Sequence, residues 1–173
     1  IISKAYISYQ AELKKMNGLD FDDLIVLTVR IFKKHPETLE KYQNIWRYIL
    51  VDEYQDTSHD QYQLVTLLAQ KHRNIFAIGD DAQSIYAFRD ADIKNILNFQ
   101  KDYTDAKVIF LEQNYRSTKN ILLAAQNVIS NNQNQVPKEL WTDNDKGEKI
   151  LVNESINERD EATFITEMMG GLA

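Results

Sequence analysis

YILVDEYQDTS, residues 48–58, runs from three apolar residues, Ile49, Leu50 and Val51, straight into two carboxylates, Asp52 and Glu53. Residues 46–51 (WRYILV) are β-branched and aromatic, bounded by polar neighbours and too short for a helix, which predicts a buried strand. Ser58 and Gln61 then form a Ser-x-x-Gln capping box, opening a helix that turns Leu64, Val65, Leu67 and Leu68 inward. The strand, turn, helix unit repeats. NIFAIG (74–79) predicts a second strand, followed by a loop and a helix over about 92–99; KVIFLE (107–112) predicts a third, followed by a helix over about 118–129. Such alternation predicts an α/β fold with a mainly parallel sheet flanked by helices.

Upstream of this unit, spaced apolar positions (Ala5, Tyr6, Tyr9, Leu13, Met16) predict a helix over 3–16 that ends at Asn17-Gly18, with Gly18 in the left-handed conformation. Asp20 is placed to cap a second helix, whose apolar face comprises Phe21, Leu24, Ile25, Leu27, Thr28, Ile31 and Phe32. It stops near Lys33-Lys34-His35-Pro36, and Pro36 opens a third helix. Past Ser130 the chain is polar, and the Asn/Gln cluster at 131–135 reads as a loop. A short strand over 149–152, a helix over 158–168 and a weak closing GGLA follow.

The chain has 173 residues, 43% of them hydrophobic and 27% charged, enough for one domain or one domain plus part of another. It lacks the ~18-residue apolar run a membrane span needs. With no cysteines, disulfides, thiolate metal sites and cysteine nucleophiles are excluded, which fits a reducing cytoplasm. His35, His59 and His72 are too scattered for a metal site. The net charge of -6 argues against a broadly basic nucleic-acid binder, so any DNA contact must be local. A start at Ile1 without a leader reads as an excised piece of something longer.

In open parallel sheets, ligands sit beyond the carboxyl ends of the strands. Asp52, Glu53, Gln55 and Asp56 follow the first strand; Gly79, Asp80, Asp81 and Gln83 follow the second; Asn114, Tyr115 and Arg116 follow the third. A carboxylate fixed there suits Mg²⁺, which takes a few rigid oxygen ligands plus water and phosphate. Adjacent Asp52 and Glu53 point differently, so one can face an ion and the other a water. Taken singly, each group has a bland reading: an acidic pair as a solvated turn, Gln83 and Tyr115 as loop residues, Arg116 in a surface ion pair, Tyr86 and Phe88 in the core.

Taken jointly and in this order, ILVDEYQDTS, AIGDDAQSIYAFRDADI and LEQNYRS resemble motifs II, III and IV of the UvrD/Rep/PcrA group of superfamily 1 DNA helicases. LDFDDLIVLTVRIF and NVISNNQNQVPKELWT resemble that family's connecting segments. The resemblance implies a partial RecA-like (P-loop NTPase) parallel sheet plus the start of a second RecA-like domain. Residues 1–17 would be the tail of an inserted helical subdomain, 18–110 the C-terminal part of the first domain, and 111–173 the truncated start of the second. It further implies that Asp52 holds Mg²⁺, Glu53 orients or deprotonates the hydrolytic water, Gln83 senses the γ-phosphate, Tyr115 stacks on adenine and Arg116 acts as an arginine finger. Tyr86, Phe88 and Arg89 would meet single-stranded DNA, since aromatic faces stack on any base.

Three positions depart from the family pattern: Ala82 stands where Asp is common, Ala87 where Gly or Arg is, and Asp90 where Gly is usual. Asp90 is expected to cap the following helix, the other reading being a charge that weakens DNA binding. None of Gly18, Gly79, Gly147, Gly170 and Gly171 begins a GxxxxGK[ST] phosphate loop, and motifs V and VI are missing. The expectation is a fragment, inactive alone, of an ATP-dependent 3′-to-5′ DNA helicase acting on single-stranded DNA and single/double-strand junctions, with possible repair or replication partners. A noncatalytic DNA- or protein-binding module and a portion of a helicase-nuclease are the alternatives. A GxxxxGK[ST] motif upstream of Ile1 would favour the motor over the module.

Overall fold

The computed structural model describes residues 2–133 and 135–171. Ile1, Asn134, Leu172 and Ala173, which fall in the expected helical tail, the Asn/Gln loop and the closing GGLA, lie outside them. The chain divides between Val108 and Ile109 into two compact units.

The first unit opens with α1 (Ile2–Lys15), α2 (Phe21–Lys34) and α3 (Pro36–Ile45). Asn17, with φ 51°, takes the left-handed position after α1 in place of the expected Gly18; an asparagine tolerates that region. Asp20 caps α2 in a full capping box, its Oδ1 accepting from the Asp23 amide at 2.8 Å. The buried apolar residues of α2 are Val29 and Phe32, whereas Phe21, Leu24 and Ile31 of the predicted face are exposed; α3 and α4 pack against only part of its broad apolar arc. Phe32 packs on Tyr42 of α3 with ring centroids 5.7 Å apart.

Strand β1 (Ile49–Val51) pairs in parallel with β2 (Ile75–Ala77), Leu50 opposite Phe76, and α4 (His59–Ala69) connects them. The strand is shorter than 46–51 and only half-buried: Leu50 is 73% exposed and Phe76 57%, since helices cover one face of this two-stranded sheet. Ser58 caps α4 as its sequence demands, with the reciprocal Ser58 amide to Gln61 Oε1 bond at 2.8 Å. The predicted helix over 92–99 is broken into α5 (Lys94–Leu97) and α6 (Phe99–Asp102). Beneath them Tyr54, Phe99 and Tyr103 form an aromatic cluster, with centroid separations of 5.4 and 4.8 Å.

In the second unit, α7 (Lys119–Ile129) and α8 (Glu158–Gly170) form where expected. Thr118 gives α7 no side-chain cap; the Asp145 and Lys146 carbonyls accept from the Lys119 and Asn120 amides instead, at 3.1 Å each. Gly147 makes that approach possible, with φ +72° and an imagined Cβ only 2.5 Å from Thr118 Oγ1. The strands predicted over 107–112 and 149–152 are absent among the described residues. Both segments are mostly apolar, but among the described residues neither has a ladder partner; Gln113 and Trp141 form an isolated bridge, with the Trp141 amide donating to Glu112 O at 3.0 Å. No described helix is long and apolar enough to cross a membrane.

Candidate functional site

Hydrogen bonding between β1 and β2 continues past both strand ends. The Ile78 amide donates to Val51 O and the Tyr54 amide to Ile78 O, each at 2.9 Å. This holds the Asp52–Asp56 turn beside the Gly79–Gln83 turn. Asp52 is exposed; its Oδ1 accepts from the Glu53 amide at 2.9 Å, and among the described residues its Oδ2 accepts no hydrogen bond. Glu53 has φ 50°, a left-handed conformation that non-glycine residues adopt at a cost of about 1–2 kcal/mol. Such strain concentrates at functional sites.

Gln55 joins the two turns. It is 1% exposed; its Nε2 donates to Glu53 Oε2 at 2.8 Å and to Asp56 Oδ2 at 3.2 Å, and its Oε1 accepts from the Asp80 amide at 3.0 Å. Two carboxylates on one side and a backbone N–H on the other fix the amide orientation, since the flipped rotamer would set oxygen against oxygen. Asp80 in turn accepts from the Ala82 amide at 3.0 Å and from Gln83 Nε2 at 2.8 Å. A continuous path thus runs from Glu53 through Gln55 and Asp80 to Gln83. Gly79 permits it: a Cβ there would lie 2.6 Å from Gln55 Oε1 and 2.8 Å from Ile96 Cδ1. The sequence reading placed Gln55 in the first polar set but gave it no role. The available signal was a polar residue wedged between Tyr54 and Asp56 directly after an apolar strand.

Three residues past Gln83 lies an aromatic platform. The Tyr86 and Phe88 rings are 5.9 Å apart, and the Arg89 guanidinium lies 5.4 Å from one centroid and 5.5 Å from the other, within cation–π range. Phe88 is 77% exposed and Tyr86 38%, so neither is a core residue. Asp90 is not the cap of the next helix. It ends the tight Ala87–Arg89 turn with φ 68°, while Asp92 Oδ1 accepts from the Lys94 amide at 3.0 Å. A left-handed position is one that glycine, the residue the family resemblance implies there, adopts without a Cβ penalty.

In the second unit, Asn114 Oδ1 accepts from the Arg116 and Ser117 amides at 2.9 and 2.7 Å, and Asn144 Nδ2 donates to the Tyr115 and Ser117 carbonyls. This fixes the backbone under Tyr115 and Arg116 while leaving both side chains exposed. The Tyr115 hydroxyl donates to Gln113 Oε1 at 2.7 Å. Among the described residues, no group of three or more metal-ligating side chains is present.

The sequence matches the UvrD/REP helicase N-terminal domain over residues 1–104 and the UvrD-like helicase C-terminal domain over residues 109–173. It is 54% identical over 167 residues to the ATP-dependent DNA helicase PcrA of Staphylococcus epidermidis (strain RP62A), covering 96% of this chain and 23% of that protein. To the ATP-dependent DNA helicase PcrA of Staphylococcus aureus (strain Mu50) it is 56% identical over 165 residues, covering 95% of this chain and 23% of the relative. The chain thus spans about a quarter of the length of these relatives. On both domain matches and these identities, the chain belongs to the UvrD/REP helicase family.

Proposed function

We propose that this chain is part of the motor of an ATP-dependent DNA helicase that translocates 3′ to 5′ on single-stranded DNA and unwinds duplex at junctions, in the cytoplasm and in repair or replication. The observation that carries this reading is 54–56% identity to PcrA helicases over nearly the whole chain. In it, residues 1–17 are the tail of an inserted helical subdomain, 18–110 complete a first RecA-like domain, and 111–173 begin a second.

An exposed carboxylate with an unengaged oxygen, as on Asp52, fits a hard cation that takes few protein ligands. Mg²⁺, when bound with ATP, supplies charge neutralisation at the phosphates. Glu53, held by Gln55 Nε2, orients the attacking water and accepts its proton. Gln83, parked on Asp80 Oδ2, is a donor that a phosphate oxygen can draw away. Tyr115 offers an open ring face for the adenine, and Arg116 is the arginine finger. Tyr86, Phe88 and Arg89 carry the DNA bases by stacking, which is indifferent to sequence and so suits a motor.

The test uses the full-length protein that carries this segment. Single-stranded DNA should stimulate its ATP hydrolysis, and Glu53→Gln should abolish turnover while nucleotide affinity stays within about threefold, the pattern of a group acting in the transition state. Normal turnover in Glu53→Gln removes that residue from its role. Substrates tailed at the 3′ or 5′ end test direction. The isolated 173-residue chain, whose glycines form no phosphate-cradling loop, should hydrolyse ATP negligibly.

A further inference from the structure

We propose that Gln55 is a positioning residue for nucleotide hydrolysis, the side chain through which the water-orienting Glu53 and the phosphate-sensing Gln83 turn are held in fixed relation. This rests on the motor reading above and adds to it a residue that reading leaves without a role.

Among the described residues Gln55 and Tyr54 are the largest fully buried side chains, and a buried amide costs desolvation that a Leu or Met of similar volume would not. Its hydrogen-bonding capacity is spent on the two turns: both donors on Glu53 and Asp56, the oxygen on the Asp80 amide. Its backbone oxygen also accepts from Ser84 Oγ at 3.3 Å. Asp80 and Ser84 flank the Asp81–Gln83 turn, so a single residue bears on both ends of the segment that presents Gln83. Only an amide satisfies this geometry. Glutamate would keep the Asp80 contact but set a third carboxylate against Glu53 and Asp56; methionine would lose every side-chain hydrogen bond. The approach of Gly79 to the amide oxygen, too close for any Cβ, shows that the second turn is fitted to this group.

The mechanical consequence follows from the short path. A shift of the Gln83 turn, whether driven from the phosphate side or from the Tyr86–Phe88–Arg89 platform two residues beyond Ser84, moves Asp80 and Ser84. Both pull on Gln55, and Gln55 reorients the Glu53 carboxylate. DNA occupancy is thereby read at the group that handles water.

The experiment uses full-length protein with wild-type Gln55, Gln55→Met and Gln55→Glu. ATP turnover with and without single-stranded DNA, KM for ATP, and amide hydrogen exchange over residues 79–84 are measured, with α4 as internal reference. Gln55→Met is expected to lower DNA-stimulated kcat by about tenfold, the factor for one hydrogen bond to a charged group, with KM within about threefold and the ratio of stimulated to basal turnover reduced. Exchange at 79–84 should quicken while α4 is unchanged. Gln55→Glu should lose stimulation as well, yet keep the protection of the Asp80 amide. A wild-type ratio of stimulated to basal turnover in either folded variant overturns the proposal; if Gln55→Met does not fold, the ratio in Gln55→Glu decides. Should wild-type protein show no DNA-stimulated hydrolysis, or Glu53→Gln retain it, the motor reading itself fails, which is a distinguishable outcome.

Discussion

Replacing Gly79 with alanine places a Cβ 2.6 Å from Gln55 Oε1, 2.8 Å from Ile96 Cδ1 and 3.2 Å from the Tyr54 amide nitrogen. Carbon and oxygen need more than 3 Å, so something must give. The Tyr54 amide is tied to Ile78 O at 2.9 Å and resists, and Ile96 belongs to α5, packed on the Tyr54–Asp56 turn. The movable group is Gln55. Its withdrawal breaks the bond from the Asp80 amide and leaves a buried donor unpaired, at about 1–3 kcal/mol. If it stays, the two turns separate, an overpacking cost of about 1–3 kcal/mol. Either route gives a loss of about 2 kcal/mol, or roughly 10 °C in Tm for a unit near 100 residues. Urea unfolding of the 173-residue chain followed by circular dichroism measures it, with Gly18→Ala as control because its nearest neighbour would be at an ordinary 3.7 Å. A Gly79→Ala loss below about 0.5 kcal/mol would refute the claim that the turns are in fixed contact through the Gln55 amide.

Ser58→Ala removes one arm of the α4 capping box and should cost about 1 kcal/mol, read in the same urea titration. Tyr54→Phe should leave stability unchanged or raise it by up to about 1 kcal/mol, since among the described residues the buried Tyr54 hydroxyl has no hydrogen-bond partner. Burial first, then the neighbouring Tyr103, Tyr62 and Asp102, pushes the Tyr54 phenol well above its usual range, so the folded state holds this proton more tightly than the unfolded one. Its contribution is complete below the unfolded phenol value of about 10 and is lost as pH rises beyond it; Tyr54→Phe should therefore flatten the alkaline decline in Tm. Asp90→Gly relieves a left-handed aspartate but adds unfolded-chain freedom, so stability should change by less than about 0.5 kcal/mol. In full-length protein it should tighten single-stranded DNA binding by up to about fivefold at low salt, an advantage that fades with added salt, as fluorescence anisotropy would detect.

What the sequence disclosed, and what it did not, divides along local and non-local physics. The Asp20 and Ser58 capping boxes were legible because their partners sit three residues away. The turns bearing Glu53 and Gln83 were placed at one sheet edge by strand parity and the parallel rule alone. The segments 107–112 and 149–152 were misjudged because β propensity records what fits a ladder, and a strand exists only where a partner backbone does. Val29 escaped the predicted face of α2 because the apolar arc of that helix is broad, and the neighbouring helices decide which part of it is covered. Asp90 was misassigned as a cap, although the glycine that the family resemblance implies there is itself a sign of positive φ. Gln55 was hidden for a different reason. Its partner is the Asp80 amide, twenty-five positions away, and no spacing rule connects a side chain to a backbone group across two strands.

The uncovered sheet face bears on how this polypeptide will behave at the bench. Leu50 and Phe76 stand opposite one another, with Tyr48 74% and Ile45 58% exposed nearby in sequence. Two short strands with open rims and an oily surface invite stacking of one molecule on another. Six units of like charge at neutral pH oppose that contact. Solutions should stay clear in dilute low-salt buffer and scatter light increasingly as protein concentration or ionic strength climbs, and Leu50→Lys should suppress the turbidity while sparing the secondary structure.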